Sequence, residues 1–143
     1  MAKRTSRTTF IDTQSVVALV NERDQFHEGA VEISRFYVGQ SLVTTVAVLL
    51  EIGNALARSF RGEAVGIIER FLTAVNLTVV RLTPDLFEEG LSLFKSHGDK
   101  EGGLVDCVSF VVMRREGLHD ALTTDHHFEQ AGFNALMRPT AGA

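Results

Sequence analysis

Four carboxylates in this sequence stand where an acid is hard to accommodate. Asp12 directly follows the apolar residues of TTFID, and Asp125 ends ALTTD in the same way. Glu51 is the only charged residue over positions 46–57 (VAVLLEIGNALA). Asp106 opens another apolar run, LVDCVSFVVM, with Ser109 three residues on and therefore on the same helical face. A buried carboxylate without a partner tends to protonate or to take a cation. Several forced into one pocket raise one another's pKa unless a cation balances them. Hard divalent ions such as magnesium or manganese prefer oxygen ligands of this kind. Zinc is disfavoured, because the five histidines form no HExxH spacing and the single Cys107 cannot build a thiolate site. His126 and His127 are adjacent, and neighbouring positions on a helix point in different directions, so a structural or surface role is expected for both.

Each acid also has a simpler explanation. An aspartate after a strand often caps the next helix, which covers Asp12 and Asp125. Glu51 has Arg58 or Arg61 as potential partners, or a helix edge that reaches water; failing these, a helix apolar all round is a buried one. Asp106 near a helix start is favoured by the helix dipole, as is Asp85. Glu22, Asp24, Glu28, Glu32, Glu63, Glu88 and Glu89 sit among polar neighbours and read as solvated helix faces. Cys107, flanked by Val105 and Val108, reads as a small core residue rather than a nucleophile.

The elements that must position these groups alternate in type. Strands are expected over residues 8–11, 41–44, 77–82 and 121–124, with a further one over 133–136. Helices are expected over 16–20, 26–38, 46–60 and 63–75. Thr45 is a plausible N-cap for the third of these. Thr83-Pro84 starts a helix that runs to Ser96, since proline at the first turn loses no needed N–H. Residues 97–103 form a charged, glycine-rich loop, and a helix over 104–116 stops at Gly117. Strands alternating with helices argue for an α/β sandwich with a mostly parallel sheet of four to five strands. Ligands bind at the carboxyl ends of such strands, where Asp12 and Asp125 fall.

The 143 residues contain no internal repeat or linker and read as a single domain over 1–143. Hydrophobic residues at 45% and charged ones at 22% are an ordinary globular balance. One cysteine allows no internal disulfide. No segment approaches a membrane span, and no apolar run follows Lys3, Arg4 and Arg7 as in a signal peptide, so a cytoplasmic address is expected. The net charge of −4, from 18 acidic and 14 basic side chains, lacks the basic footprint of proteins that coat nucleic acid. Either nucleic acid is not a partner, or it is met locally by acids gathered to hold cations.

The order of these acids resembles that of the PIN-domain nucleases, and more closely that of the VapC-like toxins of bacterial toxin–antitoxin pairs. The late segment carries the resemblance: Asp99-Lys100, Leu104-x-Asp106-x-x-Ser109, Leu122-Thr123-x-Asp125-x-x-Phe128 and Ala131-Gly132-Phe133 follow in the family's order. It extends over residues 9–136. Two positions depart from the family pattern. Gln14 stands where a small polar residue is common, and Gly102 where relatives carry tryptophan or another bulky residue. The resemblance implies a three-layer α/β/α fold and an endoribonuclease holding one or two magnesium or manganese ions. Asp12 and Asp106 would be principal ligands, and Glu51 and Asp125 would ligate directly or through water. Thr13 and Ser109 would support the site, while Lys100, Arg58, Arg61 and Arg115 are candidates for guiding phosphate. It further implies an RNA substrate, a cognate antitoxin and a homodimer. Two rivals remain. An aspartate-based phosphotransferase would need a second acid two residues after the first, where Gln14 stands. A catalytically silent RNA- or protein-binding module would be expected to have lost carboxylates.

Overall fold

The computed structural model describes residues 7–96 and 102–138. In chain order the elements are β1 (Thr9–Ile11), α1 (Thr13–Val20), α2 (His27–Phe36), β2 (Leu42–Thr45), α3 (Val46–Leu56) and α4 (Arg61–Thr73). There follow β3 (Leu77–Val80), α5 (Pro84–Ser96), α6 (Leu104–Arg115), β4 (Asp120–Leu122), α7 (His126–Gln130) and β5 (Asn134–Ala135). The expected strands and longer helices are all present. Helix α1 begins three residues earlier than periodicity implies, because Asp12 takes the N-cap position directly after β1. Helix α7 was not anticipated from the sequence; at five residues it is too short to show a period.

All strand pairs are parallel, in the order β3-β2-β1-β4-β5. The chain winds outward from β1 through β2 to β3, then returns across the sheet to place β4 on the other side of β1. Adjacent strands whose connections leave in opposite directions open a crevice at their carboxyl ends. Here that crevice lies between β1 and β4. Their register pairs Ile11 with Leu122, and the Asp12 N–H donates to the Leu122 carbonyl at 3.2 Å. Asp12 and Thr123 therefore leave the sheet side by side.

The core is built from the buried faces of these strands and from α3 and α6. Phe10, Val48, Ile52, Met113 and Ala121 are fully buried. Phe128 anchors the short α7, its ring 4.9 Å from Phe110 in an edge-on contact and 6.4 Å from Phe10. Helix α3 is not buried all round, as its apolar sequence implied. Leu50 is 61% exposed and Asn54 and Ala55 are exposed, so one flank of the helix faces outward. Among the described residues, no helix is long and apolar enough to cross a membrane.

Helices α5 and α6 meet at Gly90, where an added Cβ would stand 2.6 Å from Val108 Cγ2 and 3.3 Å from Val108 Cα. Gly90→Ala should therefore destabilise the fold by about 1–3 kcal/mol through overpacking. Gly66→Ala, in α4 with nothing within 4 Å of the added atom, should instead stabilise it by about 0.5–1 kcal/mol. Urea titrations of the two variants against wild type, followed by circular dichroism, check both signs.

Candidate active site

Asp12, Glu51, Asp106 and Asp125 all line a single cleft of about 490 Å³ at the carboxyl end of the sheet. Four different elements deliver them: the end of β1, the middle of α3, the first turn of α6 and the turn between β4 and α7. Thr13, Gln14, Asp24 and Thr124 share the lining. Among the described residues, no lysine or arginine lines it.

Asp12 is 1% exposed. It occupies the N-cap position of α1 but makes no side-chain cap bond, so the capping explanation fails for it. Instead the Thr123 hydroxyl donates to Asp12 Oδ2 at 2.7 Å, while Oδ1 is buried with no hydrogen-bond partner. Burial, then the charge of Asp106 and to a lesser degree that of Glu51, push the Asp12 carboxyl up to about 7, against the opposing influence of the Thr123 hydroxyl and the Thr13 N–H. Asp106 is pushed up to about 6 by burial, then by Asp125 and Glu51, while the Gly103 N–H and the neighbouring His127 act in the other direction.

For two of the acids, capping and lining the cleft are compatible. Asp106 Oδ2 accepts from the Gly103 N–H at 3.3 Å. Asp125 Oδ1 accepts from the His127 N–H at 2.9 Å as the N-cap of α7. Glu51 is half-buried on the flank of α3 that reaches the cleft, which is the helix-edge alternative. Arg58 and Arg61 are exposed and outside the lining.

Thr123 was not singled out from the sequence as a site residue, yet it is fully buried and joins two of the acids. It donates to Asp12 and accepts from the Asp125 N–H at 3.0 Å. A threonine between an apolar strand and an aspartate was the available signal. Asp24, expected on a solvated face, lines the cleft instead, its Oδ1 accepting from the Phe26 N–H at 2.8 Å. Gln14 accepts a hydrogen bond from the Thr124 hydroxyl, so this departure from the family pattern ties the start of α1 to the turn after β4. Gly102 has φ +149°, a conformation that L side chains rarely adopt, so a bulky residue at this position would require a different loop backbone.

The remaining expectations meet different outcomes. The Ser109 hydroxyl donates to the Val105 carbonyl at 3.0 Å, one turn back in its own helix. Its single proton is therefore spent on α6 rather than on a carboxylate. Arg115 is bound to Asp85 at 2.9 Å and to Glu89, both on α5, which takes it away from the cleft. Lys100 and Asp99 lie outside the described residues. His126 and His127 do not diverge: their rings lie 4.1 Å apart, and both Nδ1 atoms turn toward Asp125 Oδ1. Thr13, expected as support, is buried in the lining with its hydroxyl unpartnered. Cys107 is buried, and burial followed by the charge of Asp106 holds its thiol above the usual range, which suits a core residue and not a nucleophile.

A divalent cation fits this donor set. Several carboxylates face one cleft without a basic side chain among the described lining residues, and an oxygen of the most buried acid has no hydrogen-bond donor. Stability should respond accordingly. The folded carboxyls of Asp12 and Asp106 bind protons more tightly than the unfolded chain, whose reference value is 3.8. Stability of chelator-treated protein is then gained as pH falls through 7 and 6 toward 4, and lost as pH rises. Its melting temperature should be several degrees higher at about pH 5 than at about pH 8, and Asp12→Asn should flatten the difference. Scanning calorimetry across that range checks this; a melting temperature that rises toward pH 8 would contradict it.

Residues 9–134 match the PIN domain family. Over 126 residues the chain is 30% identical to a Mycobacterium tuberculosis protein named 23S rRNA-specific endonuclease VapC20, covering 87% of this chain and 94% of that protein. The crystal structure of M. tuberculosis VapC20, described as a sarcin–ricin loop cleaving toxin, superposes with a TM-score of 0.79 at 29% identity, covering 92% of this chain and 99% of that one. VapBC2 from Rickettsia felis, solved with a DNA fragment from its promoter, shares the fold at a TM-score of 0.60 and 13% identity, covering 90% and 96% of the two chains. With the family matched across nearly the whole chain, its fold shared and four acids at one sheet end, this protein belongs to the PIN-domain family.

Proposed function

We propose that this protein is a divalent-metal-dependent endoribonuclease, the toxin of a toxin–antitoxin pair, acting from the Asp12, Glu51, Asp106 and Asp125 cleft. The observation that carries the reading is Asp12: a carboxylate 1% exposed, with an unpartnered oxygen, in a cleft lined by four further acids, Asp24, Glu51, Asp106 and Asp125. The 30% identity to an rRNA-specific endonuclease supports RNA as the substrate class and makes 23S rRNA the first substrate to test.

In this reading Asp12 and Asp106 are the principal ligands for magnesium or manganese, and Glu51 and Asp125 ligate directly or through water. A bound ion supplies charge neutralisation for the phosphodiester and a water acidic enough to attack it at neutral pH. Thr123 fixes the orientation of Asp12 by donating to Oδ2, and Oδ1, without a hydrogen-bond partner, would be the oxygen to hold a cation. The same hydroxyl accepts from the Asp125 N–H, so one side chain sets the spacing of two ligands. Gln14 and Thr124 close one side of the cleft by their mutual hydrogen bond. A cytoplasmic location, a cognate antitoxin and a homodimer belong to the same reading. The antitoxin and the homodimer are supported by exposed Leu50, Leu72 and Val75 and by an apolar groove of about 780 Å³ lined by Val16, Leu19, Ile67 and Phe71, surface that protein partners would cover.

Asp106→Asn should abolish RNA cleavage and leave the fold intact, because asparagine keeps the shape while removing the charge a hard cation needs. Ser109→Ala should cost far less, its hydroxyl being bonded within α6. Cys107→Ser should retain nearly full turnover with a modest loss of stability. The assay compares purified variants on total RNA with manganese, using circular dichroism as the folding control. Near-wild-type cleavage by Asp106→Asn, together with an inactive Cys107→Ser, would overturn the carboxylate mechanism.

Magnesium or manganese should also raise the melting temperature of the wild type, since a ligand of the native state stabilises it by mass action. Asp12→Asn should respond less. Identical melting curves with and without either ion would count against the metal.

A further inference from the structure

Helix α7 brings two imidazoles, donors that a magnesium-type site does not use, beside the Asp125 carboxylate. Asp125 is its N-cap, and His126 and His127 are its first two residues. His127 Nδ1 lies 2.6 Å from Asp125 Oδ1 and His126 Nδ1 lies 3.9 Å from the same atom. One ligand atom from each of the three residues can be chosen so that all lie within 4.8 Å of one another. A tetrahedral ion with bonds of about 2.0–2.2 Å places neighbouring ligand atoms about 3.4 Å apart. The two separations to Asp125 fall on either side of that value. His126 has the freedom to adjust, with 48% of its side chain exposed, whereas His127 and Asp125 are held at 16% and 11%.

The geometry points to a second metal site, formed by Asp125, His126 and His127, for a borderline divalent cation of the zinc type. Two imidazole nitrogens and one carboxylate oxygen are the donors that zinc and cobalt prefer and that magnesium does not. Three protein ligands leave at least one position open to water. The support around them is rigid: the His127 N–H holds Asp125 Oδ1, Thr123 holds the Asp125 N–H, and Phe128 locks the helix to the core. Asp125 belongs to both donor sets, so an ion bound here competes for a member of the carboxylate cleft. Zinc is therefore an inhibitor of the magnesium- or manganese-supported reaction. That inhibition rests on the nuclease reading; the binding of zinc does not.

Cobalt(II) is the probe, because nitrogen-bound cobalt of low coordination number absorbs strongly in the visible and cobalt in an all-oxygen octahedral shell does not. Chelator-treated protein titrated with cobalt in excess magnesium should develop these bands at one equivalent, and zinc should bleach them. His126→Ala, at an exposed position, should weaken cobalt binding by about 10-fold or more, the loss expected even for a residue supporting a ligand. It should keep the magnesium-dependent rise in melting temperature. Asp106→Asn should keep the cobalt bands. Weak octahedral absorption only, or bands unchanged in His126→Ala and in the His126→Ala/His127→Ala pair, would overturn the site, as would their loss in Asp106→Asn. In the cleavage assay, zinc should inhibit wild type and spare His126→Ala. Should total RNA resist cleavage under every ion, the nuclease reading falls and the cobalt titration alone decides the site.

Discussion

Asp12 is held almost entirely out of water, one oxygen bonded to Thr123 and the other to no donor. Beside it stands Asp106, whose charge is the second-largest influence on it after burial. An arrangement of this kind works against the folded state, and the surrounding packing must be strong enough to impose it. The residues on either side of Asp12 show how. The Ile11 carbonyl accepts from Thr44 at 2.8 Å and the Asp12 carbonyl from Ser15 at 2.9 Å. The backbone before and after the acid is thereby fixed while its side chain stays under-bonded. The strain is electrostatic, and a bound cation would relieve it.

The sheet order explains why the acids meet. Placing β4 next to β1 brings Thr123 and Asp125 beside Asp12, and the helices following β2 and preceding β4 lower Glu51 and Asp106 onto the same end. Polar residues tune this gathering without adding positive charge. Threonines 44, 45 and 123 are all fully buried, and each spends its hydroxyl on a backbone or carboxylate at the strand ends. The absence of lysine and arginine from the described lining leaves the cleft acidic, so on the proposed reading bound cations would mediate contact with a polyanion. A chain of net charge −4 can meet a phosphodiester under those terms.

Much of this was legible in the sequence because its signals were local. Strand β1 and the parallel sheet follow from short apolar runs alternating with helical periods, and Glu51 stands out as one charge in an apolar stretch. Features that depend on two distant segments were not legible. The Thr123–Asp12 bond spans 111 residues, and nothing near either residue announces the other. Asp24 sits among polar neighbours and still faces the cleft, because the turn between α1 and α2 folds back over it. The convergence of the histidine pair was not legible either: neighbouring helical positions diverge at the backbone, and side-chain rotamers alone bring these two rings together beside Asp125. Ser109 was credited with support on the strength of a shared helical face, but a serine in a helix readily bonds the preceding turn.

The pairing of β1 with β4 also bears on biosynthesis. Asp12 emerges from the ribosome with the first strand, and its hydrogen-bond donor Thr123 follows only after 111 further residues. Domains fold during synthesis from their early segments, and contacts this far apart in sequence close last. A nascent chain halted before β4 carries Asp12 without Thr123 or Asp125, so it presents an unfinished cleft. A protein that damages RNA would on this account stay harmless to the ribosome making it until β4 has emerged and paired with β1.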